Sequence, residues 1–247
     1  MTRVSQTVEP ATLRHCINHV ERAIAGVFDG LRSMGVAMEQ QWEAGRRPFT
    51  ADDLVMFQPC IFEQLDAQPA FDSAGYVMSE HALADRQRYL DWWHRAANHH
   101  FQPLILNLEP GTPDCYDYYT MDWFLAAVRE RRRFISGPHI DLPCADVCIM
   151  TFTDPVVADG GRDGGDVLGV AGADVALSRF ESLLLPPLRR LAAPAVLVNS
   201  QRRVITSNDA AWISGEKLPA IPSQGDGDWQ AVAPVMSDLG WTLAVLR

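Results

Sequence analysis

Apolar residues recur at Ile17, Val20, Ile24, Val27, Phe28, Leu31, Met34, Met38 and Trp42, in steps of three and four. That spacing puts them on one face of a helix, and the pattern predicts a single helix over residues 11–46. At the ordinary rise per residue it is roughly 50 Å long. A periodic helix of that length packs on a partner helix as well as on its own domain, so a homodimer along it is expected. "RRPFTADDL" then supplies a breaker and Thr50, an N-cap for a helix opening near Ala51. The run "SEHALADRQRYLDWWHRAANHH" (79–100) predicts a further helix capped by Ser79, with Leu83, Tyr89, Leu90 and Trp93 on its buried side. Prolines and a glycine make "NLEPGTPDCYDYY" a loop, and "TMDWFLAAVRERRR" reads as helix.

After Phe134 the period changes. "FISGPHIDL", "DVCIMTFTDPVV" and "DVLGVAGADVAL" are short, rich in Val, Ile and Thr, and bounded by turn residues, which predicts strands. "ADGGRDGGD" has four glycines in nine residues, as a hairpin connection does. "SRFESLLLPPLRRL" is a helix cut short by Pro186 and Pro187. A smaller unit of about 60 residues follows, too small for more than a marginal core by itself. It contains a strand, a turn at 199–201 and a second strand in "PAVLVNSQRRVITSNDAA", then a Pro/Gly-rich loop, then a last strand in "GWTLAVLR".

Composition narrows the function. The 247 residues carry a formal net charge of −10, whereas neutralising nucleic-acid phosphates needs clustered Lys and Arg. The one basic run, "RERRR" (129–133), sits between apolar segments and reads as a solvated helix end. No segment approaches the roughly 18–20 apolar residues that cross a bilayer, and the first residues lack the apolar core of a signal peptide. Cys16, Cys60, Cys115, Cys144 and Cys148 are odd in number and scattered, which favours reduced thiols and the cytoplasm over a disulfide framework. Cys144 and Cys148 lack a second pair at zinc spacing, and His94 and His99 are five apart, poor geometry for a metal on a helix. Glu109, Asp114 and Asp117 match no calcium loop. Neither a GxSxG elbow nor a phosphate loop is present. No cofactor and no metal is expected.

Several stretches in order resemble the double-Cache family of PAS-like sensor domains: the long leading helix, "YDYYTMDWF", "GPHID", "TFTDPVV", "VLGVAGADVAL", "AVLVNSQRRVITSN" and "GWTLAVL". The resemblance covers most of the chain after residue 10. It implies an α+β fold, a long N-terminal helix followed by two PAS-like modules with antiparallel sheets. The segments are then 1–46 for the helix, 47–190 for a first, ligand-binding module and 191–247 for a second, smaller one. It also implies a binding protein rather than an enzyme. Family members are generally extracytoplasmic and tethered by membrane helices, which this sequence does not show. A stand-alone soluble sensor is expected, with an unknown signalling partner. Met121 stands where amino-acid-binding members carry Arg, and His139 where the Gly-Pro step is followed by Tyr.

Carried over onto this chain, the ligand-binding candidates are Tyr119, Trp123, His139, Asp141, Thr151, Thr153 and Asp174. Strand alternation puts His139 with Asp141 on one face and Thr151 with Thr153 on one face of the next strand, so that Asp141 and Asp174 are expected to face each other across adjacent strands. Without an Arg at 121 to pair a carboxylate, two aspartates and two aromatics favour a cationic amine. A guanidinium from "RERRR" swinging inward would restore carboxylate binding. Two other readings stay open: an enzyme using Asp141, His139 and Asp174 as acid–base groups, and a ligand-free interaction module.

Overall fold

The structure, a computed structural model, describes residues 8–45, 47–80, 82–96, 100–141, 147–158 and 165–247. Helix α1 (Pro10–Gly45) opens the chain. Its predicted stripe is buried within the chain itself: Val20, Ile24, Leu31, Met34 and Met38 are all fully buried. Two short helices follow, α2 (Ala51–Leu54) and α3 (Gln58–Ala67). Thr50 is the cap the sequence predicts, and more than that. Its hydroxyl accepts from the Asp53 amide while the Asp53 carboxylate accepts from the Thr50 amide, a reciprocal capping box. The Arg47 guanidinium and the Thr50 donors hold the Asp53 carboxyl well below the usual range.

By compactness the chain divides into residues 27–137 with 141–176, and residues 1–26, 138–140 and 177–247. The divisions fall inside α1 and after residue 176, where the sequence drew its segments at 46 and 190. The later shift has a packing reason: Phe180, in the helix that follows residue 176, meets Trp241 edge to face at 6.4 Å.

The first of these units holds an antiparallel six-stranded sheet of order β3-β2-β1-β6-β5-β4. Its strands are β1 (Ser73–Met78), β2 (Leu90–Arg95), β3 (Phe101–Pro103), β4 (Phe134–Ile140), β5 (Cys148–Val157) and β6 (Val167–Ala176). β1, β5 and β6 are buried along almost their whole length. On one face Phe28 of α1 meets Phe152 at 5.5 Å, and the Tyr76 hydroxyl donates to the Met34 carbonyl. α4 (Asp122–Val128) covers the other face over a cluster of Val77, Trp92, Tyr118, Phe124, Ala127 and Val170. The second unit contains α5 (Leu177–Leu188) and a four-stranded sheet of order β8-β7-β10-β9. These strands are β7 (Ala195–Val198), β8 (Val204–Ser207), β9 (Trp229–Val235) and β10 (Trp241–Leu246).

Four readings are corrected. The segment expected as a helix over 79–100 forms β2, paired to β1 from Ser73↔His94 to Val77↔Leu90. "LDWWHR" alternates as a strand does, Trp92 toward the α4 cluster and Trp93 onto Phe62 of α3 at 4.9 Å. That pairing outweighs the helical spacing of Leu83, Tyr89 and Trp93. The helix over "TMDWFLAAVRERRR" ends at Val128, because Arg131 takes a left-handed backbone at φ 52°. α5 runs through Pro186 and Pro187, which lie in its last turn. The small sheet has four strands rather than three. β9 is an edge strand with a proline in it, tolerated there because no inner neighbour needs the missing N–H on both sides.

The glycine-rich connection lies largely outside the described residues, and its described ends are joined by Ala158 N–H to the Asp166 carbonyl at 2.8 Å. Cys144 and His99 also lie outside them. No helix among the described residues is long and apolar enough to cross a membrane.

Candidate functional site

The register of three strands builds the site. Asp174 on β6 stands opposite Ser73 on β1 and Thr151 on β5. Because side chains alternate, all three point to the face covered by α4. The Ser73 hydroxyl donates to Asp174 Oδ2 at 2.7 Å and the Thr151 hydroxyl to Oδ1 at 2.6 Å. Trp92, one strand further out, donates its indole N–H to Ser73 Oγ at 2.8 Å. A chain of donors thus runs Trp92 to Ser73 to Asp174, with Thr151 closing from the other side. Gly172 makes room for it, since a Cβ there would stand 2.9 Å from the Trp92 ring.

Burial pushes the Asp174 carboxyl up to about 6, and the nearby Asp141 carboxylate adds to the rise. Thr151 and Ser73 donate to the charged form and restrain it. Tyr116 lies nearby: burial, helped by the charges of Asp174 and Asp141, raises its phenol to about 12. The arrangement is a carboxylate held by two hydroxyls beside an indole, with a phenol and a second carboxylate near enough for their charges to be felt, next to the apolar cluster under α4.

The structure distributes the predicted residues unevenly. Asp174 and Thr151 come together, and Asp141 and Tyr116 lie near enough for their charges to act on each other and on Asp174. The expected pairing of Asp141 and Asp174 on adjacent strands is corrected: β5 lies between β4 and β6, so Thr151 is the strand neighbour of Asp174. Asp141 follows β4, with its amide donating to the Val147 carbonyl. Thr153 is fully buried and its hydroxyl bonds backbone, the Trp123 carbonyl at 3.3 Å and the Phe134 carbonyl at 3.5 Å. It ties α4 to β5. Trp123 is half-buried against Phe124, edge to face at 5.8 Å. His139 is exposed near the end of β4 and is counted in the other compact unit. Tyr119 turns away: its hydroxyl donates to the Gln87 carbonyl, and the Arg88 guanidinium lies over its ring at 5.0 Å.

Two arginines of "RERRR" are engaged elsewhere. Arg132 lies over Phe134 and pairs with Glu130, and Arg133 lies over Phe28, each at 4.9 Å from the ring. Sequence reasoning missed Ser73, Trp92 and Tyr116. Trp92 was hidden by the helical reading of its segment. Tyr116 is one of three tyrosines in "YDYY", and only the path of the loop, anchored by Tyr116 N–H to the Asn107 carbonyl, decides which of them reaches Asp174. Among the described residues no cluster of His, Cys, Asp and Glu is arranged to hold a metal.

No protein-family model and no curated protein matches the sequence. The fold does match solved sensory domains. A methyl-accepting chemotaxis protein X is 12% identical, with 96% of each chain covered and a TM-score of 0.64. The ligand-binding domain of the Pseudomonas aeruginosa amino acid chemoreceptor PctC, in complex with GABA, is 18% identical over 95% of each chain, at a TM-score of 0.55. The sensory domain of the Campylobacter jejuni chemoreceptor Tlp3, with isoleucine bound, is 12% identical over 94% of this chain and 89% of that one, at 0.58. The double-Cache architecture expected from the sequence is thus the fold observed, a long helix leading into two antiparallel sheets.

Proposed function

We propose that this chain is a small-molecule sensor whose ligand carries a protonated amine, either an amine or an amino-acid-like metabolite. The observation that carries the reading is Asp174, a carboxylate held by two hydroxyl donors beside a second carboxylate, Asp141, and the Tyr116 ring. Two carboxylates in a partly desolvated, aromatic-walled space repel one another until a cation joins them. An ammonium group supplies that charge, donates hydrogen bonds to both, and packs on the ring faces. The chemoreceptor domains solved with GABA and isoleucine support the class, since both of those ligands carry an amino group. Met121 offers no cation for a ligand carboxylate. The acid–base enzyme draws no support from the geometry, because His139 is exposed while Asp174 is held by Ser73 and Thr151.

The signal passes to a partner chain or across a homodimer along α1. The cytoplasm remains the proposed compartment, on scattered cysteines of which Cys16, Cys60 and Cys115 are free thiols. Calorimetric titration with GABA, isoleucine and simple alkylamines, set against acetate and propionate, tests the reading. Compounds with an amine should bind and the plain acids should not, and Asp174→Asn should abolish the binding. Equal binding of the plain acids, or amine binding that survives in Asp174→Asn, overturns it.

A further inference from the structure

A cavity lies at the end of the same sheet opposite Asp174. It has a volume of about 650 Å³, within the range of small-ligand sites. Leu168 in its wall and Asp174 are six residues apart along β6, about 20 Å at the rise of a strand, so the two spaces are separate. Trp42, Tyr119, Phe124 and Leu168 give it an aromatic and aliphatic lining.

Its polar groups are graded from inside to outside. Ser79 Oγ is buried at the wall and has no hydrogen-bond partner among the described residues. A buried hydroxyl left so is a vacancy for a polar atom of a ligand. Arg131 is half-buried and is one of three non-glycine residues with a positive φ among the described residues, at 52°. A side chain held in that backbone region persists where its surroundings fix it, and such positions gather at ligand clamps. The acidic groups Glu80 and Asp166, like Arg129, are exposed at the mouth. The half-buried charge is therefore cationic, and the negative charge lies outermost.

We propose that this cavity is a second binding site, taking a monocarboxylate with an aromatic body. The carboxylate would accept from the Ser79 hydroxyl and the Arg131 guanidinium, and the ring would pack on Trp42, Tyr119 and Phe124. The acidic mouth disfavours dianions. Tyr119, which the sequence grouped with Asp174, belongs to this site, as does Arg131 of the basic run. The site differs from the one proposed at Asp174 in the sign of the charge it selects.

Phenylacetate and phenethylamine, which share a ring and a linker and differ in charge, are the probes. Titration of the full chain, read by calorimetry and by the fluorine signal of 4-fluorophenylacetate, should show saturable binding of the acid. The double variant Arg129→Gln/Arg131→Gln should weaken it at least tenfold, as loss of charge-assisted hydrogen bonds to a carboxylate does. Asp174→Asn should leave it within twofold. Far-UV circular dichroism and the melting point establish that the double variant is folded. Should that variant melt early, Ser79→Ala, which removes one small donor, should still weaken the acid severalfold. The proposal is overturned by no saturable binding of phenylacetate at millimolar concentration, or by stronger binding of phenethylamine in Asp174→Asn. Unchanged affinity in both cavity variants, or loss of phenylacetate binding in Asp174→Asn, also overturns it. Failure of amine binding in the wild type would count against the Asp174 reading alone.

Discussion

The two sheets of this chain solve the same packing problem in opposite ways. In the four-stranded sheet the inner strands β7 and β10 are apolar wherever they are buried: Ala195, Val196, Leu197 and Val198, then Trp241, Leu243, Ala244 and Val245. Its buried polar residues, Asn199 and Thr206, serve the framework. Asn199 Oδ1 accepts from the amides of Gln201 and Arg203 to close the β7–β8 turn, and Thr206 donates to Glu181 at 3.4 Å. In the six-stranded sheet the inner strands carry Ser73, Thr151, Thr153 and Asp174, and the hydroxyls of Ser73 and Thr151 converge on the Asp174 carboxylate. A buried polar group is tolerated only when its bonds are made. A set of them converging on a charge costs stability that an apolar sheet keeps. The four-stranded sheet gives its buried positions to packing, and the six-stranded sheet gathers buried hydroxyls around one carboxylate.

The largest expected effect tests the apolar side of that contrast. Leu197 is fully buried in β7, and Leu197→Ala should cost about 2–5 kcal/mol through lost transfer energy and a cavity. Urea denaturation followed by circular dichroism measures it. A loss below about 1 kcal/mol would mean that the small sheet adds little to stability, and the contrast would collapse.

Next in size is the glycine that gives Trp92 its place. Gly172→Val would drive a side chain into the indole, with an overpacking cost of about 1–3 kcal/mol. Displacing the indole also removes the donor to Ser73. Amine binding should weaken more than the stability loss alone implies, read by titration at a temperature where the variant is still folded. If affinity is unaffected, the donor chain from Trp92 has no part in the site.

How far the sequence could carry this is uneven, and the unevenness has a physical cause. α1 was legible because a face repeating at three and four residues is a property of the chain alone. β5 and β6 were legible because their Val, Ile and Thr run between turn residues. β2 was not, since "YLDWWHR" satisfies either period and only β1, more than ten residues away in sequence, decides between them. Asp174 and Thr151 were placed together because their strands are consecutive. Tyr116 was lost because its position depends on an irregular loop whose path no period encodes. Ser73 was invisible for a related reason: a lone Ser after Asp72 carries no pattern, and its role exists only through the register with β6.

The third effect concerns charge. The Asp174 carboxyl rises from an ordinary 3.8 to about 6 on folding. An acid raised in this way favours the folded state fully below pH 3.8 and loses that contribution as pH climbs through 6. The loss is at most about 3 kcal/mol. Asp174→Asn removes the titration. It should match the wild type near pH 4 and exceed it by about 1–2 kcal/mol at pH 8, in denaturation curves taken at both values. In the wild type an amine binds the ionised carboxylate, so its affinity should fall below pH 6 by up to tenfold per unit. Asp141 and Tyr116 are titratable groups near the site, and His94 stands opposite Ser73 on the same face. Tyr116 stays protonated throughout this range.

The smallest effect is the most specific. Thr151 donates to Asp174 Oδ1 at 2.6 Å and thereby favours its charged form. Thr151→Val keeps the shape and the strand propensity of the side chain and removes that donor alone. The fold should change by no more than about 1 kcal/mol, but the carboxyl should titrate higher than in the wild type. A carbon-detected NMR titration of Asp174 would follow it directly, and the midpoint of amine binding should move up in pH by the same amount. Thr206→Val in the small sheet is the matched control, since its hydroxyl touches Glu181 and not the site. It should leave that midpoint where it was. A midpoint unmoved in Thr151→Val would mean that the hydroxyl only fills space. The polar set of the larger sheet would then serve the framework, as Asn199 and Thr206 do in the smaller one.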